Sequence, residues 1–436
     1  MKSRNERYEE PADTEEAYEG DEAYEEEEYG EYEEYEEYEP EIEDYEEEYR
    51  ERPRRSATRR GRRAPSATAS ADRQRKRRRA IIIFVIEIIV LLVLLFIVWT
   101  LFGRMNVDKV GKVNLSEEKI TESIDVAVAE NEEMVGYTNI ALFGVDARNG
   151  ALDKGTRSDT IIIASINNAT KEIHLVSVYR DTYLNLSNDK YNKCNSAYAK
   201  GGPEQAISML NMNMDMDIRD FITIGFSGLT DVINELGGVT VTVEEGEIDN
   251  LNNYQISMVG KKNGTNAAGE DSFSATPGVD YIPVTTAGTQ TLNGLQATAY
   301  CRIRYGGGDD FRRAARQRTV LEACLNKAKT ASPSQLENIA GRVFSETYTS
   351  LELSEIVKLL GDVPQYKVVG SDGFPCEELR GTGKIPDKGA CVVPMDLSAN
   401  VKWLHGFLFG DDGYEVTDNV RRYSDKIAAD SAGYVD

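Results

Sequence analysis

Two short apolar runs separated by a polar loop dominate the pattern of hydrophobic positions in the middle of the chain. Ile140–Val145 and Thr160–Ser165 are rich in β-branched and apolar residues and are bounded by polar turns, which predicts two buried strands. Asp146 follows the first run and Asp159 precedes the second, so a chain that folds back brings both carboxylates to one point. Either these aspartates only cap turns, or they share a cation, because two adjacent carboxylates repel each other.

Strands and helices alternate beyond this pair, which is typical of an α/β layered fold. The predicted elements are the strand Glu172–Tyr179, a helix opened by Pro203 that runs to about Asn213, the strand Phe221–Gly225, a helix Gly228–Leu236 capped by Ser227, and the strand Val239–Val243. Residues 245–290 are rich in Asn, Gly and Ser and have weak periodicity, so we expect a surface insertion or lid.

Arginines recur where these elements end. Arg157 lies in the loop between the first two strands, and Arg180 follows the third. Residues 291–305 predict a short helix running into an extended segment, in which Arg302 and Arg304 alternate and therefore face one side. A long amphipathic helix follows, with Arg313, Arg316 and Gln317 on neighbouring faces of its first turns. These arginines either cover a solvated surface or, beside the carboxylates, form a phosphate site.

A run of 21 mostly apolar residues, Ile81–Leu101, is long enough to cross a bilayer as one helix. Six basic residues crowd its N-terminal side, namely Arg73, Arg75, Lys76, Arg77, Arg78 and Arg79. This asymmetry predicts that residues 1–79 are cytoplasmic and that the chain after about 103 is external. Glu87 interrupts the run: it snorkels, stays protonated, or faces another helix in an oligomer.

The formal net charge of −25 is unevenly distributed. Residues 1–50 hold 25 acidic and 4 basic residues in a Glu/Tyr tract, whereas residues 51–79 hold 13 basic and 2 acidic ones. Self-repulsion and scarce aliphatic side chains predict a disordered tail. The basic block is too short to indicate nucleic-acid binding. The tail is either simply solvated, or it folds onto the basic block or recruits a cytoplasmic partner.

The cysteines and histidines exclude some kinds of site. The five cysteines show no metal-site spacing such as C-x-x-C, and Cys376 with Cys391 is the expected disulfide pair outside a membrane. The only histidines are His174, predicted on a strand, and His405. They do not support a Ser-His-Asp or histidine–metal mechanism.

Seven blocks of the chain resemble the LytR-CpsA-Psr family of Gram-positive cell-wall enzymes. They are LFGVDAR, GTRSDTIIIASIN, SVYRDTYL, YNKCNSAYAKGGPE, GLTDVINELGGVTVTV, TLNGLQATAYCRIRY and DDFRRAARQR. The blocks follow the family's order and spacing from about Gly136 to Thr330, and the resemblance extends more weakly to about residue 410. Tyr179 stands where the family commonly has proline, and Arg312 where it commonly has glycine.

The resemblance implies a three-layer αβα domain with a mixed central sheet and an apolar pocket for a polyprenyl tail. It implies a phosphotransferase that moves a glycopolymer, such as wall teichoic acid or capsule, from an undecaprenyl-pyrophosphate carrier to peptidoglycan. The alternatives are a polyprenyl-pyrophosphate hydrolase and a non-catalytic envelope regulator or scaffold. The implied divisions are a tail (1–79), a transmembrane helix (80–102), an external stalk with a short helix from Ser116 (103–138), the catalytic domain (139–410) and a polar extension (411–436).

The resemblance also implies roles for individual residues. Asp146 and Asp159 would bind Mg²⁺, or Mn²⁺ in its place, against the pyrophosphate. The residues implied to contact the pyrophosphate are Arg157, Arg180, Arg302, Arg304, Arg313 and Gln317. The implied catalytic set is Asp146, Asp159, Arg180, Arg302 and Arg304.

Overall fold

The computed structural model describes residues 111–146, 152–265, 271–304, 309–332, 334–336, 338–340 and 347–435. The predicted tail and the apolar run Ile81–Leu101 lie outside this part of the chain. Within it, no helix combines the length and the apolar character needed to cross a bilayer.

The described strands and helices alternate along much of the chain. The strands are β1 (Gly111–Lys112), β2 (Tyr137–Val145), β3 (Ser158–Asn167), β4 (Glu172–Val178), β5 (Tyr183–Asn185), β6 (Tyr191–Lys193), β7 (Asp220–Gly225), β8 (Val239–Val243), β9 (Lys261–Thr265), β10 (Asp271–Ser274), β11 (Gly288–Leu292), β12 (Thr347–Thr349), β13 (Lys367–Phe374), β14 (Arg380–Ile385) and β15 (Gly389–Pro394). The helices are α1 (Glu117–Glu122), α2 (Val126–Ala129), α3 (Glu132–Val135), α4 (Asn195–Met214), α5 (Phe226–Glu235), α6 (Ile248–Val259), α7 (Gly294–Tyr300), α8 (Asp309–Ala328), α9 (Leu353–Asp362), α10 (Leu397–Phe409) and α11 (Asp418–Ser431). The two buried strands predicted around Asp146 and Asp159 are confirmed, and both are longer than expected.

Seven of the described strands form a mixed central sheet in the order β1-β12-β7-β2-β3-β4-β13. β2 pairs antiparallel with β3 and parallel with β7, while β3 pairs antiparallel with β4 and β4 parallel with β13. The sheet therefore contains both parallel and antiparallel strand pairs, and the α/β class expected from the sequence is confirmed.

Both faces of the central strands are buried. Successive side chains of a strand point to opposite faces. Phe143 and Ile161 pack with residues of α4, α10 and α11 on one face, whereas Ile140 and Ile162 pack with residues of α8 and α9 on the other. This two-sided burial explains why these strands are continuous apolar runs without polar alternation.

Segments on either side of the predicted catalytic domain contribute to the main core. Ser116 caps α1 as expected, accepting a hydrogen bond from the Lys119 backbone N–H at 3.3 Å, and Ile120 of α1 is buried in the core. Near the other end, Val420 and Tyr423 of α11 are fully buried in the same cluster. Their helical spacing gives α11 an apolar stripe that the high polar content of residues 411–436 conceals.

One helix start differs from the prediction. Ser227 is not a cap, because α5 starts at Phe226 with Gly225 as its N-cap. The helix opened by Pro203 is confirmed, because the backbone of α4 is non-helical at Gly201 and Gly202, and an additional helical segment begins at Asn195 before this break. Gly202 has a φ of 67°, and a Cβ there would lie 2.7 Å from the Asp153 carbonyl oxygen, so the break requires glycine.

Regular structure also occupies the predicted insertion, which contains α6 and the β9–β10 hairpin. Only Leu251 and Gln255 of α6 are buried, so its sequence has little apolar periodicity. The expected disulfide is wrong: Cys376 and Cys391 are unpaired thiols, as are the other three cysteines. Cys376 begins a 3₁₀ turn and Cys391 pairs with Gly383 in a separate hairpin, so the two belong to different local structures.

Candidate active site

Asp146 and Asp159 lie at the same edge of the central sheet. β2 ends at Val145, which pairs with Ser158 at the start of β3. Asp146 therefore leaves β2 where Asp159 enters β3, on neighbouring strands whose backbones are about 4.8 Å apart. The structure thus brings together the two carboxylates that the sequence pattern singled out.

Each of these aspartates faces an arginine from another element. Arg180, which directly follows β4, donates from Nη1 to Asp159 Oδ1 at 2.6 Å. Arg302, which follows α7, has its Nη2 3.9 Å from Asp146 Oδ2. The four side chains are between 17% and 32% exposed, so an incoming ligand has access to all of them.

Asp146 and Arg302 line a cavity of about 560 Å³ between α5, α6 and α7. Its wall is partly apolar, through Phe226, Met258, Val259, Phe273 and Leu295, and partly polar, through Ser227, Thr230, Asp231 and Ser257. The Arg302 guanidinium lies 4.5 Å above the Phe226 ring and 5.4 Å from the Tyr254 ring. These rings fix the direction of the guanidinium by cation–π contacts.

Asp310, in the first turn of α8, connects the remaining arginines. Its Oδ1 lies 3.2 Å from Arg304 Nη2 and 3.1 Å from Arg313 Nη2. Arg313 Nη2 also donates to the Asp159 backbone carbonyl at 3.3 Å. Arg313 thereby joins the first turns of α8 to the sheet edge that carries the two aspartates, and Asp310 holds Arg304 and Arg313 side by side.

Burial and pairing act together on the pKa values of this cluster. Burial by itself would raise the pKa of Asp310, but the Arg313 and Arg304 guanidinium groups outweigh it and lower that pKa. Burial lowers the pKa of Arg313. For Arg180, the opposing effect of burial is overcome by neighbouring carboxylates, Asp159 foremost, which raise its pKa. At neutral pH the carboxylate of Asp310 and both guanidinium groups are therefore charged.

Two side chains of α8 hold the backbone that carries Arg302 and Arg304. Arg316 donates from Nη1 to the Ile303 carbonyl at 3.2 Å, and Gln317 donates from Nε2 to the Cys301 carbonyl at 3.4 Å. The structure therefore gives Gln317 a backbone contact, whereas the resemblance implied a contact with the pyrophosphate.

Residues 301 and 302 form a turn and residues 303 and 304 belong to no helix or strand, so the predicted strand-like segment is wrong. Arg302 and Arg304 consequently pair with different aspartates, Asp146 and Asp310. Arg157 is exposed and forms no hydrogen bond or ion pair with another described residue. The structure thus brings together every predicted site residue except Arg157, with Gln317 supporting the backbone.

A family model matches residues 103–394, about two thirds of the chain. The chain belongs to the LytR-CpsA-Psr family. Biofilm regulatory protein A of Streptococcus mutans is 30% identical over 267 residues, covering 58% of either chain. A polyisoprenyl-teichoic acid–peptidoglycan teichoic acid transferase, TagU of Enterococcus faecalis, is 30% identical over 254 residues, covering 57% of this chain and 72% of the relative.

A solved structure, TagT bound to LI-WTA, shares the fold of this family member. It aligns with a TM-score of 0.50 at 23% identity, covering 68% of this chain and 99% of that chain. The matches to the two relatives leave between about a quarter and two fifths of their own length uncovered.

Sequence reasoning missed three contributors to this LytR-CpsA-Psr site. Asp310 lies in the quoted block DDFRRAARQR, but two adjacent aspartates before several arginines give no sign that Asp310 bridges Arg304 and Arg313. Phe226 and Glu247 are far from Arg302 and Arg316 in sequence, and only the fold brings them into contact. No local pattern marks such long-range pairs.

Proposed function

We propose that this protein transfers a glycopolymer phosphate from a polyprenyl-pyrophosphate carrier to a hydroxyl group of peptidoglycan, with an anionic wall polymer such as teichoic acid as cargo. The observation that carries the proposal is the charged cluster at one sheet edge, which opens into a partly apolar cavity. Its four positively charged arginines, Arg180, Arg302, Arg304 and Arg313, are complementary to a pyrophosphate. The cavity has room for the part of the polyprenyl chain that is attached to the pyrophosphate. The teichoic acid transferase relative supports the same assignment.

The balance of charge supports a divalent cation as part of the substrate complex. The four arginines and Lys193 exceed the four aspartates Asp146, Asp159, Asp181 and Asp310 by one positive charge. A pyrophosphate diester brings two negative charges, so a cation would return the complex to a net positive charge and favour binding of the anion. Among the described residues, no group of three or more His, Cys, Asp or Glu side chains could hold a metal alone.

Two carboxylates fit Mg²⁺, which proteins commonly bind through one or two carboxylates together with substrate phosphates. Asp146 and Asp159 would hold it, and Mn²⁺ accepts the same oxygen donors. When bound, the cation would neutralise charge on the pyrophosphate and stabilise the leaving polyprenyl phosphate.

The residues of this chain would do the remaining work by position and charge. Arg302, held by Phe226 and by the α8 contacts to its backbone, would bind the phosphate at the mouth of the cavity. Arg180 and Arg313, which meet around Asp159, would bind the phosphate nearer the sheet. Their fixed guanidinium groups would stabilise the charge that develops as the acceptor hydroxyl attacks phosphorus and the polyprenyl phosphate leaves.

Membrane anchoring belongs to this proposal. The apolar run Ile81–Leu101 would hold the site near a lipid-linked donor, with the tail inside the cell and the sheet domain outside. This arrangement would put the domain in the compartment where peptidoglycan lies.

The test is transfer from a synthetic polyprenyl-pyrophosphate glycan to a peptidoglycan oligomer by the detergent-extracted full chain. We expect chelation to abolish transfer and Mg²⁺ to restore it. Asp146→Asn and Asp159→Asn should abolish turnover, whereas Asp418→Asn, at a highly exposed carboxylate on α11, should not. Full activity of both site variants would exclude the mechanism, and release of the glycan phosphate without acceptor would indicate a hydrolase instead.

A further inference from the structure

A second group of arginine and aromatic side chains lies beside the charged cluster. We call Tyr179, Phe311, Arg318 and Arg380 the Tyr179 cluster. Tyr179 immediately precedes Arg180, and Phe311 immediately follows Asp310. The cluster is therefore attached to the candidate active site through two separate elements, the end of β4 and the start of α8.

Aromatic contacts orient Arg380. Its guanidinium carbon lies 3.9 Å from the centre of the Phe311 ring, and its Nη1 donates to the Tyr179 hydroxyl at 3.1 Å. The Tyr179 and Phe311 rings meet edge to face, with their centres 4.6 Å apart. The Arg380 guanidinium is thus held over the Phe311 ring, and 17% of the Arg380 side chain is exposed.

Arg318 approaches the same tyrosine from the sheet side. Its Nε donates to Ser371 Oγ at 2.9 Å, but its Nη1 is buried without a hydrogen-bond partner among the described residues. The Tyr179 hydroxyl lies against Gly373, where a Cβ would be only 2.0 Å away. Ser371 and Gly373 are alternate residues of β13 and share one face, so the Arg318 guanidinium neighbours the Tyr179 hydroxyl.

The carboxylates nearby do not neutralise these two arginines well. Glu377 Oε1 lies 3.7 Å from Arg380 Nη2, and its side chain is 83% exposed, so water and salt screen the pair. Asp372 is exposed, and its Oδ1 accepts the backbone N–H of Gly373 at 2.7 Å. Arg318 is 8% exposed and has no carboxylate within ion-pair distance in the described part of the chain.

We propose that the Tyr179 cluster is a second oxyanion subsite, which binds a phosphodiester or carboxylate of a substrate beside the transferred phosphate. This subsite proposal rests on the proposed function, and the subsite would make the proposed transferase selective for anionic substrates. Arg380 would offer its exposed edge, and the Tyr179 hydroxyl, which already accepts from Arg380, would donate its own proton to the anion. The departure from proline to tyrosine at position 179 supplies this hydroxyl.

The test compares the affinities of two lipid probes for the full chain in detergent. One is a polyprenyl-pyrophosphate disaccharide with neutral sugars, and the other carries an added glycerol phosphate. A second pair of probes, a muropeptide with free or with amidated carboxyl groups, tests the acceptor as the source of the anion. Binding is measured by calorimetry, so the result does not depend on turnover.

Arg380→Gln should weaken binding of one charged probe on the order of tenfold, as expected for loss of a charge-assisted hydrogen bond, and leave its neutral counterpart unchanged. The pair that responds identifies donor or acceptor as the source. Tyr179→Phe removes only the hydroxyl and should weaken the same probe less, while Arg380→Lys should retain part of its affinity. Arg422→Gln is the matched control, because Arg422 also stacks on a tyrosine ring but lies outside the cluster.

Equal effects of Arg380→Gln and Tyr179→Phe on charged and neutral probes would overturn the subsite and indicate a structural role. If both lipids depend on Arg302, and neither the lipids nor the muropeptides respond to Arg380→Gln or Tyr179→Phe, the subsite is overturned and the proposed function stays intact. Wild-type protein that binds neither lipid would overturn both.

Discussion

At the scale of single residues, Arg302 and Arg304 have the same chemistry but different surroundings. Arg302 lies over Phe226 at the cavity and is 21% exposed, whereas Arg304 is 39% exposed and pairs with Asp310. A more enclosed guanidinium makes stronger contacts with an anion, because less water competes with it. The two arginines should therefore contribute unequally to binding.

We expect Arg302→Ala to weaken binding of a polyprenyl-pyrophosphate glycan more than Arg304→Ala does, with a loss of about 1.5–3 kcal/mol at Arg302. Arg302→Lys should recover only part of this, because lysine lacks the planar fork that stacks on Phe226. Arg421→Ala, at an exposed position of α11, is the control. Titration of the lipid against each variant measures the effect, and equal affinities for the Arg302 and wild-type proteins would show that Arg302 does not contact the lipid.

At the scale of elements, α8 connects the site to the insertion. Arg316 on α8 donates from Nε to Glu247 Oε1 at 2.6 Å, and both side chains are less than 10% exposed. Glu247 belongs to the 3₁₀ turn that leads into α6, one wall of the cavity. The same arginine binds the Ile303 carbonyl, so one buried ion pair relates the cavity wall to the backbone that carries Arg302 and Arg304.

Glu247→Gln leaves the buried Arg316 charge without its partner, and we expect a loss of about 3–5 kcal/mol in the free energy of unfolding. Lipid affinity should also fall, because the 301–304 backbone loses part of its support. Denaturant unfolding and lipid titration measure the two effects. Asp271→Asn, which removes an exposed ion pair with Lys262, should change neither stability nor lipid affinity. A Glu247 variant as stable as wild type would show that the Glu247–Arg316 pair does not stabilise the fold.

At the scale of the whole molecule, the C-terminal segment closes the main core around a buried histidine. His405 on α10 donates from Nε2 to the Met214 carbonyl at 3.1 Å, and its ring stacks on Tyr414 with centres 3.5 Å apart. Burial lowers the pKa of His405 to about 4 from 6.5. The folded protein therefore favours the neutral ring, and the unfolded chain takes up a proton first as the pH falls.

This difference should destabilise the fold by about 3 kcal/mol as the pH falls from 6.5 to 4, and it should change little outside that window. His405→Gln removes the titration, so the gap in unfolding free energy between wild type and variant should shrink over the same range. Urea unfolding at several pH values, followed by the fluorescence of Trp403 on the same helix, provides the measurement. A difference in unfolding free energy that does not change with pH would show that folding does not shift the pKa of His405.

The topology of the whole chain is a separate prediction from the basic cluster before Ile81. Protease added to intact protoplasts should remove epitopes placed after residue 103 and spare epitopes placed before residue 79. Permeabilised protoplasts, in which both epitopes are removed, are the control. The reverse pattern would contradict the topology and the proposed function with it.

The sequence by itself determined five of the described strands, β2, β3, β4, β7 and β8, and the position of the two aspartates. The apolar runs around Asp146 and Asp159 encode strands because their residues are buried on both faces, and the two runs are near enough in sequence to pair as neighbouring strands. The long helix with Arg313 and Arg316 was equally visible, because its periodicity is local. Local patterns were sufficient wherever neighbours in sequence are neighbours in space.

Only the tertiary structure decided which charges meet. Asp310 bridges Arg304 and Arg313, Arg302 stacks on Phe226, and Arg380 reaches Tyr179 across 201 positions of sequence. The physical reason is that such contacts depend on side-chain directions after packing, and no periodicity encodes them. The tertiary structure also decided the role of α11. Its apolar stripe is short, and only its packing against the main core shows that these residues are buried.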